Sequence, residues 1–287
     1  MVNPARSTSK QPNPDVQSLE RFPAEGNLAW SERAALQMIG DTDARDHSFM
    51  VLLGGSDTLA FRLRVAQSHL RSDMLPSLWS EALLVRMKGR SLHGAKAAYV
   101  PLAQPEAPFF PPSENGVVEV PLSKFDDVRR YPNIALFALP IRQEDLFEQV
   151  KRFRSARSTL DTLEHILRWL AFSWGVARTG NPLHDNIGLP SACMLETVCA
   201  AQDFELTPAL ESRTSCPEAI WASMLHWHGY YANTGKKAVP LGRFSTRHKF
   251  EIIEPPDREK RKQREDVSQR EATPSTARRR TRRAPNS

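Results

Sequence analysis

Between Pro132 and Pro140 lie seven residues, Asn133–Leu139 (NIALFAL), of which all but the first are apolar. The run is too short for a helix and is apolar on both alternating faces. It therefore predicts a buried strand near the centre of a sheet, and the rest of the chain must supply its neighbours. Residues 49–53 form a second apolar run, ending at Gly54-Gly55. Residues 79–85 (WSEALLV) form a third with Glu81 at its head, and 116–120 (GVVEV) a fourth with Glu119 inside it. Helical spacing falls between and after these runs, at 28–39, 58–70, 143–154, 159–174, 191–202 and 217–228. In 159–174, for example, Leu160, Leu163, Ile166, Leu167 and Leu170 make one stripe. Ser31 is the expected N-cap of the first helix, and Pro190 suits the first turn of the fifth. The segment 91–115 holds five prolines and reads as a long loop, a candidate lid or rim. The expected class is α+β, one antiparallel sheet packed against helices in a single domain over residues 28–232.

Charge is unevenly placed. Residues 255–287 carry eleven Arg and Lys against five acids, and the first 254 residues balance at 28 of each, so the net +6 belongs to the tail. Blocks such as KRKQR and RRRTRR predict a disordered segment that attracts polyanions electrostatically, with no aromatic residues for base stacking. Residues 1–27 are polar and proline-rich and are expected to be a disordered arm, with 233–254 as a connecting segment. Met1 to Arg21 has no apolar core of a signal peptide, and no run nears the ~20 apolar residues of a membrane span. Three cysteines make neither a disulfide framework nor a zinc motif, so reduced thiols in a cytoplasmic protein without a cofactor are expected.

The chemistry-bearing candidates concentrate in 188–227, which holds all three cysteines. Cys193 falls in the first turn of a predicted helix, where the helix dipole favours thiolate. Cys199 lies deeper and reads as core; Cys216 precedes Pro217 and reads as structural. Ser215 and Glu218 have the spacing of a capping box for the last helix. Gly54-Gly55-Ser56 lacks both the GxSxG and the GK[ST] contexts and reads as a plain turn. A nucleophilic thiol needs a base, and the imidazoles at His69, His93 and His184 read as surface or turn residues. His226 and His228 are two apart, whereas zinc pairs on one helical face are four apart.

The order of these elements, with WSEALLV, GVVEV, YPNIALFALP, SACMLETV and the downstream LTP and SCPE segments, resembles the circularly permuted NlpC/P60 family of papain-like amidases over roughly residues 49–231. The resemblance implies a papain-like fold and a thiol hydrolase or acyltransferase acting on amide or ester bonds. Cys193 would be nucleophile and Glu119 the orienting acid, with Glu81 occupying the place of the family's histidine. Oxyanion stabilisation would come from backbone donors at the helix start. In that alignment Met194 takes the family's cysteine position, and Cys193 lies one residue, about 100° of helical rotation, before it. A second implied role is a catalytically inactive relative whose cleft binds a peptide, a lipid or a partner protein. A third, carried by the tail, is association with nucleic acid.

Overall fold

The computed structural model describes residues 16–104, 112–156, 161–208, 210–234 and 240–246. The chain divides into units 1–253 and 254–287, and all described residues belong to the first, so the predicted basic tail lies outside them. Among the described residues the fold is α+β, a seven-stranded mixed sheet with six α-helices. The strands are β1 (Val16–Ser18), β2 (Ser48–Gly54), β3 (Glu81–Lys88), β4 (Ser91–Tyr99), β5 (Val118–Pro121), β6 (Asn133–Leu139) and β7 (Leu241–Ser245), in the order β1-β7-β6-β2-β3-β4-β5. All neighbours are antiparallel except β1 and β7, which run parallel with Val16 opposite Gly242.

The run NIALFAL sits inside the sheet, between β2 and β7. Its side chains alternate as a strand requires. Ala135, Phe137 and Leu139 enter one core, and Ile134, Leu136 and Ala138 the other. The second core is covered by α1 (Asn27–Ile39), through Trp30, Ala34, Ala35 and Met38. The first is covered by α2 (Thr58–Ala66), α3 (Gln143–Ser155), α4 (Thr162–Trp174), α5 (Pro190–Ala200) and α6 (Pro217–Thr234). One helix against five makes the two faces of the sheet unequal, and the candidate residues fall mainly on the five-helix side.

Several expectations are corrected in detail. Residues 91–99 belong to a strand rather than to a long loop. Leu92, Ala95, Ala97, Ala98 and Tyr99 are buried, and the alanines, weak strand formers, hid the pattern. The sheet also takes β1 from the expected arm and β7 from the expected connecting segment. Ser31 is buried and caps nothing: α1 begins after Gly26, and the Asp126 carboxylate accepts from the Leu28 N–H at 2.7 Å. The capping box at α6 does not form. Glu218 accepts instead from the Ser77 hydroxyl at 2.6 Å and from Arg71 at 3.2 Å, and the buried Ser215 hydroxyl has no hydrogen-bond partner among the described residues. The turn at Gly54 is a close approach of backbones, since a Cβ there would meet the Leu78 carbonyl oxygen at 2.0 Å.

Candidate functional site

Strand β3 opens at Glu81 and helix α5 opens at Pro190, and the two elements pack against each other. Among the described residues the contact makes no hydrogen bond between Glu81 and Cys193. Glu81 is half-buried beside Leu53 of β2, and its Oε1 accepts from the Ala82 N–H at 3.0 Å. Desolvation raises its carboxyl to about 7, against the opposing pull of the Ser191 hydroxyl, the Ala82 amide and the Lys124 ammonium. Ser191 is itself engaged: its hydroxyl accepts from the Val100 N–H at 3.1 Å and donates to the Val100 carbonyl at 3.0 Å. The first turn of α5 is thereby stitched to the end of β4.

Cys193 lies two residues further along α5, turned towards the loop before α6. Its thiol donates to the Arg213 carbonyl at 3.2 Å and lies 3.6 Å from the Ser215 carbonyl. Gly188 closes against it, leaving no room even for a Cβ, which would sit 2.7 Å from Sγ. Burial drives the thiol strongly up from its ordinary value, and the neighbouring carbonyls offer nothing to stabilise a thiolate. The helix dipole is outweighed by the lost hydration. Cys199 and Cys216 are likewise buried and free, and burial pushes Cys216 to about 12.

Glu119 on β5 pairs with Arg154 at the end of α3, 3.0 Å away, and the same guanidinium also holds Glu114. Among the described residues no hydrogen bond or ion pair joins Cys193, Glu81 and Glu119 to one another. The histidines are placed elsewhere. His69 and His184 are exposed and pack edge to face at 4.8 Å, with His69 Nδ1 3.0 Å from the Ala66 carbonyl. His93 is exposed and His228 is buried in α6. No group of three or more His, Cys, Asp or Glu suited to a metal ion occurs among the described residues.

Two residues that sequence reasoning passed over organise this region. Ser191 is one, and its only signal was a hydroxyl immediately after a helix-starting proline. The other is Glu196, a buried carboxylate on α5 that accepts from the Leu206 N–H (3.2 Å), the Thr207 N–H (2.8 Å) and the Thr207 hydroxyl (2.7 Å). It fixes the Leu206-Thr207-Pro208 segment to the helix. On the same side of the sheet, a groove of about 380 Å³ opens between the end of β4, the start of β5 and α4. Pro101, Val117 and Ile166 make its apolar lining, and Glu114 and Arg154 its charged rim.

Comparison with protein-family models, with curated proteins and with solved structures found no match to this chain.

Proposed function

We propose that this chain is a papain-like binding module, an inactive relative of the permuted amidases, whose groove beside β5 takes a short uncharged peptide or acyl segment. The observation that carries this reading is the sequestered thiol of Cys193. A cysteine hydrolase needs an accessible thiolate and a base within hydrogen-bond reach. Here the thiol is buried against main-chain carbonyls. Glu81 has a proton affinity suited to acid–base work, yet among the described residues no hydrogen bond joins it to the Cys193 thiol. The groove supports the binding role by its chemistry: its lining is apolar, and its one guanidinium is held by two carboxylates. An anionic ligand gains little from such a rim.

Two measurements on the full chain test this. Incubation with iodoacetamide from pH 6 to 9 should leave Cys193 unmodified in the native protein, and rapid labelling near neutral pH would reinstate the thiol enzyme. Titration with short uncharged peptides and fatty acyl amides, followed by amide NMR, should shift Gly116 and Val117 first. Absence of shifts there across the panel overturns the binding reading.

A further inference from the structure

We propose that His69 and His184 form a two-imidazole site for a divalent ion of the zinc class, the remaining coordination positions going to water or to a donor from outside the chain. The site shares no residue with the groove beside β5 and stands independently of it.

The two rings come from distant parts of the chain, and one carbonyl brings them together. Ala66 ends α2, and its carbonyl accepts from His69 Nδ1 at 3.0 Å and from the Asn181 side-chain amide at 2.7 Å. Asn181 in turn opens the single turn Pro182–Asp185. Its side-chain oxygen accepts from the Leu183 N–H at 3.2 Å, and its carbonyl accepts from the His184 N–H at 3.0 Å. His184 is thereby placed against His69 through one intermediate residue, and the ring centroids stand 4.8 Å apart with 74° between the planes.

The bond to Ala66 also sets a tautomer. A carbonyl can only accept, so Nδ1 of His69 carries a proton, and Nε2 of the neutral ring keeps its lone pair. Metal-ligating histidines are oriented in this way, the second ring nitrogen donating to a backbone carbonyl, a carboxylate or water. Among the described residues nothing is hydrogen-bonded to Nε2 of His69 or to either ring nitrogen of His184. Both residues are exposed, so an ion reaches them without displacing other side chains.

The spacing suits a shared ion. Zinc–nitrogen bonds of about 2.0–2.1 Å, meeting at anything from a right angle to a tetrahedral one, put two imidazole centroids roughly 4.5–5.2 Å apart. The observed 4.8 Å lies inside that range, and rotation about each metal–nitrogen bond leaves the angle between the rings free. Imidazole nitrogen suits zinc, copper and nickel, whereas magnesium and calcium take oxygen. The neighbouring carboxylate of Asp185 is already paired with Arg168 at 3.3 Å. A bound ion would add a second tie between the end of α2 and the turn before α5, beside the one Asn181 makes.

The test uses the full chain purified without a polyhistidine tag, titrated with zinc chloride near neutral pH and followed by calorimetry and by proton–nitrogen correlation of the imidazole rings. The His69 and His184 rings should shift together along one binding curve, with Nε2 of His69 moving far more than its Nδ1. Magnesium chloride should move neither ring. His69→Gln and His184→Gln should each weaken zinc binding by about tenfold or more, at least the cost of losing an outer-shell partner. Zinc should raise the melting temperature of the parent and leave that of either variant unchanged. Binding undiminished in either variant overturns the site. Zinc-dependent shifts confined to other histidines, or no ring shift at all at millimolar zinc, also overturn it.

Discussion

A carboxyl group at the head of an apolar strand is a stability device with a sign that can be worked out. Glu81 has an ordinary value near 4.5 when unfolded and about 7 when folded, so the folded state binds its proton more tightly. Its contribution is present in full below the unfolded value and is lost as pH rises through the folded one, a span on the order of 3 kcal/mol. Glu81→Gln should therefore unfold at higher urea than the parent at pH 8, with the two converging at pH 4. A variant less stable than the parent at pH 8 contradicts the assignment. Burial also raises Glu196 and Glu218, and they add to the same slope, so the difference between parent and variant is the informative quantity. At Cys193 the same desolvation acts on a thiol, where it suppresses reactivity.

At the scale of elements, side chains carry connections that no ladder of backbone bonds supplies. Glu196 ties α5 to Leu206 and Thr207, both buried, by three hydrogen bonds. Glu196→Ala strands those donors inside the core and should cost about 3 kcal/mol in denaturant unfolding; a loss below about 1 kcal/mol would mean water replaces the carboxylate. The elements themselves were legible in proportion to how much apolar area each residue brought. Strands β2, β3 and β6 announced themselves through Leu, Val, Phe and Ile, and β6 begins and ends where its flanking prolines indicate. Strand β4 was hidden because alanine packs closely there without signalling a strand, and β1 and β7 because they are short and partly polar. The candidate site was half legible. The helix bearing Cys193 could be placed from Pro190, but the direction of its thiol depends on the loop at 211–216, and no local pattern encodes that contact.

Across the whole molecule, charge and sheet topology divide the labour. With residues 255–287 removed, 28 basic and 28 acidic side chains cancel in 1–254, so deletion of the tail should abolish retention on a heparin column at low salt. Retention unchanged by the deletion would place the polyanion contact on the folded unit. No helix among the described residues is long and apolar enough to cross a membrane. The sheet joins the two ends of the folded unit, because β7 pairs with β6 on one side and with β1 on the other. That arrangement makes synthesis itself a hazard. When β6 has left the ribosome, about 100 residues must still be translated before Leu241 follows, roughly 5–20 s at ordinary elongation rates. Throughout that interval one side of β6 lacks its partner, and β1 has nothing to pair with. A ribosome stalled before Leu241 would release a chain whose most apolar strand is an open edge, primed to join another copy strand to strand.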